Sequence, residues 1–340
     1  MKRAGLRLLA ERSSPPPGVD ALLRAALADA PTAAEAWAAF ERAADLDQLP
    51  GVEMCLIGLV SKRLPAIAPK SVHRGRVGGI ERANWSRAQL VIGEAASALH
   101  TLATQDLPAL LLGEAARSAA GNALGRGRPF GVVELCVRQG DMMRVHDRLT
   151  AEGWQAAPPG AVGRKRDQPA YSCRFTRGVF GSLEVRRSPY PPGRSEAAGA
   201  DDLWQRAGAG TFGGAPALLP AATDALMVSI ADGVRRSCFN GLWLADVAMS
   251  TAAEIDWPLV EEASRRQGLD AASFFSLRYA RERLMRPIPP EALDRLERTA
   301  AADALHSFAL LAECRSGAGT TRASQGLSRV LRRIRRLSRQ

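Results

Sequence analysis

Apolar positions recur along the chain with two periods, and the period changes near residue 105. Before it the spacing is helical. Residues 20–30 and 32–46 read as helices, the second announced by the capping-box pair Thr32 and Glu35 ahead of Trp37, Phe40 and Ala44. Residues 52–64 are apolar enough for a buried helix, which Pro65 and Pro69 stop, and residues 75–79 read as a loop. Leu90, Val91, Ala95, Ala98, Leu99 and Leu102 then trace one face of a long helix over 80–104.

From residue 109 the pattern shortens. Leu110, Leu111 and Leu112 make a fully apolar strand ended by Gly113, and residues 114–124 read as a small-residue helix. Residues 132–137 are a strong β-run, followed by Asp141 placed to cap a helix through Leu149. Residues 172–176 and 183–187, around Gly178 and Gly181, read as a hairpin. After a Pro/Gly/Ser linker over 189–199 and a short helix over 201–207, helical spacing returns over 221–234, 239–250, 257–268, 271–285 and 290–312, with Asp256 set to cap the third of these. The order of elements predicts an α+β fold: a small mixed β-sheet flanked by N- and C-terminal helical regions. The expected division is a flexible leader over 1–19, a helical region over 20–104, an α/β core over 105–207, a helical domain over 208–312 and a basic tail over 313–340.

Composition sharpens the ends more than the middle. A hydrophobic share of 46% excludes wholesale disorder. No run approaches the ~18 apolar residues of a spanning helix, and Leu6 to Ala10 is too short for a signal-peptide core, so a cytoplasmic protein is expected. Of the net charge of +11, eight units come from arginines at or beyond Arg315, where there is no acid. The body is therefore near neutral, and the partner-seeking charge belongs to the tail. There Leu327, Val330, Leu331, Ile334 and Leu337 share one helical stripe, with Arg329, Arg332, Arg333, Arg335 and Arg336 around the rest. That pattern fits an anionic membrane surface or an acidic protein partner, which would place the protein at the inner face of the membrane. A merely solvated tail is the plain alternative. Nucleic acid is the less favoured partner, because the tail has no aromatic residue for stacking.

Candidate chemistry is sparse. The cysteines (Cys55, Cys136, Cys173, Cys238, Cys314) have no paired spacing, and the four histidines lie far apart, so neither a disulfide framework nor a zinc site is expected. Gly208, Gly210 and Gly213 match G-x-G-x-x-G but follow a helix rather than a strand, and are expected to be a loop. Gly113 lets a phosphate approach a helix N-terminus, although Glu114 sets a negative charge there. Glu134 is a carboxylate inside an apolar strand, costly unless paired or metal-bound. Val132 shares its face; two acids there would have made a two-metal clamp. Glu184 approaches Glu134 if their strands are neighbours, with Arg186 or Arg128 as a salt-bridge partner. The residues alone favour such an ion-pair cluster over a metal site.

Together these stretches resemble the bacterial uncharacterised nucleotidyltransferase-like family of the polymerase-β-type nucleotidyltransferase superfamily, over residues 22–296. LLLGEAA matches its first strand, with Gly113 in the glycine position and Leu112 where the family has lysine. Arg128 to Val137 matches the acidic strand, with Glu134 as second acid and Val132 in place of the first aspartate. Gly153 and Trp154 match a helix end. SLEVRR matches the third-acid strand, with Glu184 as the acid and Arg186 and Arg187 replacing His-Trp. Leu242 to Met249 and the pair Asp256 and Trp257 match the helical half. The resemblance implies Mg²⁺ and an NTP as cofactors of active members, with Glu134 and Glu184 as catalytic and metal-binding residues and Gly113 and Arg128 as nucleotide-binding ones. The missing lysine and first acid imply a degenerate active site and a binding or scaffold role. A divergent active enzyme transferring a nucleotidyl group, and a protein that binds nucleic acid through its tail, are the alternatives.

Overall fold

The computed structural model describes residues 3–121, 126–157, 171–190, 200–235, 241–303 and 307. Helices α1 (Arg3–Arg12), α2 (Pro17–Leu27), α3 (Ala30–Ala43), α4 (Gly51–Ile57), α5 (Leu64–Ile67) and the 30-residue α6 (Arg74–Ala103) precede the sheet. Strand β1 (Leu110–Leu112) runs directly into α7 (Gly113–Ala119), and β2 (Val133–Cys136) leads to α8 (Met142–Ala151) and β3 (Gln155–Ala156). Then come β4 (Ser172–Arg177), β5 (Gly181–Arg186), α9 (Ala200–Arg206), β6 (Gly208–Phe212) and β7 (Ala215–Leu219). Helices α10 (Ala222–Arg235), α11 (Leu242–Ser250), α12 (Trp257–Gln267), α13 (Asp270–Leu284) and α14 (Pro290–Ala302) complete the described chain.

Among the described residues, seven strands form one mixed sheet in the order β3-β4-β5-β2-β1-β7-β6. At its centre β1 is antiparallel to β2 and parallel to β7, while β2 is parallel to β5. The fold is therefore α+β, as the order of elements predicts. Alternation along each strand divides the interior into two cores. Leu111, Val133, Leu135, Phe175, Leu183 and Val185 pack under α6 and α8. Leu110, Leu112 and Cys136 face the larger core made by α2, α3 and the C-terminal helices.

Several expectations need correction. The leader over 1–19 contains a helix: its stripe buries Leu6 and Ala10, and Arg7 Nε pairs with Glu297 of α14 at 2.5 Å. Residues 52–64 break at Gly58, where a side chain would strike the Gly127 backbone, and Pro65 sits in the first turn of α5 rather than ending a helix. Residues 75–79 are helical because Val77 is buried and anchors the turn. Helix α3 starts at Ala30 with Asp29 as N-cap, so Thr32 lies inside it and caps nothing. Asp141 stands at the start of α8 without a side-chain cap bond and bonds Arg144 at 2.9 Å instead. The stretch 208–213 is not a loop. It is an edge strand and the start of a two-residue turn, with Gly213 (φ 58°) and Gly214 (φ 84°) both left-handed, which suits a tight hairpin. The sheet thus continues to Leu219, beyond the core expected over 105–207. Asp256 does cap α12, accepting from the Leu259 N–H at 3.0 Å. The tail over 313–340, with Arg329, Arg332, Arg333, Arg335 and Arg336, lies outside the described residues.

Candidate functional site

A cleft of about 380 Å³ opens between the sheet and the helices α7, α10 and α11. It is built from β2 and β5 outward. Their parallel register sets Glu134 directly beside Glu184, and the pleat turns both carboxylates to the face opposite Val133 and Leu135. Two residues further along β5, Arg186 points to the same face with its side chain wholly buried.

The Arg186 guanidinium gathers three acids. Its Nε donates to Glu184 Oε1 at 3.2 Å, and its Nη1 donates to both oxygens of Asp232 on α10, at 3.0 and 3.1 Å. Its Nη2 lies 3.0 Å from Glu134 Oε2, a charge contact too bent to count as a hydrogen bond. Burial alone would lower the pKa of this guanidinium, but Asp232, Tyr171 and Glu184 more than offset it and the group is held charged. Cys136, buried beside it, has its thiol pushed up to about 12 by desolvation, against the pull of Arg186.

A second cluster forms the wall nearest α7. Arg117 Nη2 lies 3.0 Å from Glu114 Oε2 and 2.9 Å from Asp246 Oδ1, and Nη1 donates to Ser229 Oγ at 3.3 Å. Arg128 bonds the same Asp246 and lies 3.4 Å from Glu114. Burial pulls the Arg128 pKa down, yet Asp246 and Glu114 raise it overall. The loop carrying Arg128 is held from outside: Asn84 of α6 donates to Gly127 O at 2.8 Å, and Arg126 pairs with Glu81 at 2.7 Å. Gly113 has φ 55°, and a Cβ there would stand 2.9 Å from Glu134 Oε2. Only glycine fits this junction of β1 and α7. Phe130, Val132, Leu242 and Trp243 supply the apolar lining.

The structure thus brings Glu134, Glu184, Gly113 and Arg128 to one cleft, with Glu114 at its rim. Sequence reasoning missed Arg117, Asp232 and Asp246. The signals were there: Asp232 follows the largely apolar stretch 225–231 of α10, three residues after Ser229, and Asp246 interrupts Leu242–Met249. Arg117 follows Glu114 at salt-bridge spacing. These residues do not fit a two-metal clamp. Val132 offers no ligand atom, three of the acids already face Arg186, and among the described residues no group of three His, Cys, Asp or Glu side chains is arranged to hold a metal ion.

A sequence model of the family described as uncharacterised nucleotidyltransferase matches residues 37–285. The chain belongs to that family. No curated protein matches it. The uncharacterised nucleotidyltransferase match begins within α3 and ends at Met285, just after α13, so it contains the whole sheet and both ion clusters. Helices α1, α2 and α14 lie outside it and pack around its helical half.

Proposed function

We propose that this member of the family is catalytically impaired and acts as a binding or scaffold partner. One observation carries the reading: Arg186, wholly buried, holds Glu134, Glu184 and Asp232 around a fixed positive charge, where the fold's chemistry would call for a mobile cation. A guanidinium neutralises acids but supplies no open coordination position for a phosphoryl oxygen. Val132, which the resemblance sets against the family's first aspartate, supports the same reading. Calorimetric titration of the full chain with each NTP, with and without Mg²⁺, tests it. The expected result is no metal-dependent binding and no nucleotidyl transfer; micromolar, Mg²⁺-dependent binding accompanied by product overturns it.

A second reading, a divergent active enzyme transferring a nucleotidyl group with Mg²⁺ and an NTP, draws support from the direct pairing of Glu134 with Glu184 and from Asp232 as a third acid beside them. It requires Glu134→Gln to abolish turnover. The docking half of the proposal rests on the basic tail, which we assign to an anionic membrane surface or an acidic partner on the cytoplasmic side. Co-sedimentation with anionic vesicles, compared between the full chain and a variant ending at 314, reads this. Steep salt-dependent binding to nucleic acid that vanishes in the same truncation would replace it with the nucleic-acid alternative.

A further inference from the structure

Away from the cleft, a cavity of about 420 Å³ opens between α2, α3 and α4. Its walls follow from helical spacing. Ala39 and Ala43 stand one turn apart on α3 with the buried Phe40 between them, and Pro17 and Ala21 stand one turn apart on α2. Leu49 closes the space from the turn that joins α3 to α4. The small side chains on both helices leave the space unfilled.

One carboxylate enters this apolar lining. Glu53, in the first turn of α4, reaches across to Gly18 in the first turn of α2, where a Cβ would overlap its Oε1. It is half-buried and makes no hydrogen bond or ion pair among the described residues. The neighbouring acids of the turn between α3 and α4 are answered. Asp47 pairs with Arg76 at 2.6 Å, and Asp45 accepts from the Asp47 N–H at 2.8 Å. Among the described residues no Lys, Arg or His lines the cavity, and burial pushes the Glu53 carboxyl up with no cation to oppose it.

A carboxylate in an apolar wall is costly by itself, and the group that removes the cost is a cation whose remaining surface is hydrocarbon. A metal ion is the poorer occupant, because it needs several oxygen ligands and among the described residues no group of three His, Cys, Asp or Glu side chains is arranged to hold one. We infer that this cavity binds a small organic amine in its ammonium form, with the ammonium at Glu53 and the hydrocarbon body against Phe40 and the alanines. The volume lies within the range of small-molecule pockets.

The test uses the full chain with the chloride salts of n-butylamine and n-hexylamine at constant ionic strength, read by calorimetry and by thermal unfolding, with 1-hexanol as the uncharged control. Hexylammonium should bind saturably and raise Tm. It should bind roughly tenfold more tightly than butylammonium, the scale of two buried methylenes, and about tenfold or more above hexanol, the scale of one charge-assisted bond. Glu53→Gln should bring hexylammonium down to the level of hexanol and leave hexanol unchanged. Ala39→Leu, a helix-compatible change at an exposed position, should abolish binding of both by filling the cavity. Without ligand, Glu53→Gln should leave Tm unchanged or higher, because it removes a desolvated charge and no partner. Equal binding of hexylammonium and hexanol, an undiminished response in Glu53→Gln, or a lower ligand-free Tm for that variant overturns the proposal.

Discussion

On β2, Val133 and Leu135 enter the core under α6 and α8, whereas Glu134 between them enters the cleft under α10. Strand β5 repeats the division, with Leu183 and Val185 on one side and Glu184 and Arg186 on the other. Both faces are buried, but different physics holds them. The apolar face is held by area and shape, so each side chain contributes separately. The charged face is held by matching: three acids meet the same buried guanidinium, and no member contributes alone.

The sharpest way to break this comparison is Arg186→Met. It removes the buried guanidinium that Glu134, Glu184 and Asp232 share and should cost roughly 3–5 kcal/mol, read as a fall in the denaturation midpoint. Adding Glu134→Leu, Glu184→Leu and Asp232→Leu to it should restore most of that loss, since a buried ion cluster is replaceable by apolar packing of similar volume. If the fourfold variant stays as unstable as the single one, the cluster cannot be exchanged for packing. On the other face, Leu135→Ala should cost about 2–5 kcal/mol with no comparable rescue by neighbouring changes. Gly113→Ala strains a left-handed residue and pushes on Glu134; a loss of about 1–3 kcal/mol is expected in thermal unfolding.

The smallest effect separates the rim from the centre. Hydrogen bonding and charge from Arg7 hold the Glu297 carboxyl below its ordinary value, against burial. Its folded pKa is thus below its unfolded one, so the pair stabilises above the unfolded value and loses that contribution as pH falls through the folded one. Wild type and Arg7→Gln should differ in Tm at neutral pH, and the gap should close in acid. A gap that persists in acid would mean that Arg7 acts through packing.

Much of this arrangement is legible in the sequence. The apolar run of β1 is unbroken, those of β2 and β5 are interrupted only on one face, by Glu134 and by Glu184 and Arg186, and Gly178 and Gly181 mark the β4–β5 hairpin. Glu184, expected beside Glu134 if their strands are neighbours, is its direct partner in the β2–β5 register, and Arg186 contacts both. Other features were hidden for physical reasons. Strand β6, GAGTF, opens on three residues of low β-propensity, Gly208, Ala209 and Gly210; pairing with β7 and a two-glycine turn hold it. Helix α1 is stabilised by α14 from the far end of the described chain, a contact no local pattern announces. Asp232 is one acid in a helix, and only the fold shows that it meets Arg186.

The parallel pairing of β2 with β5 also has a kinetic consequence. Parallel neighbours need a long crossover, and Arg186 and Asp232 are 46 residues apart, while Arg128 and Asp246 are separated by 118. Closing such loops is slow, and until α10 and α11 dock, the acids on β2 and β5 remain better solvated by water than by protein. The ion clusters are therefore expected to complete late, once the helical half has seated. Damage to them should leave the refolding rate nearly unchanged and appear as faster unfolding, shortening the lifetime of the native chain.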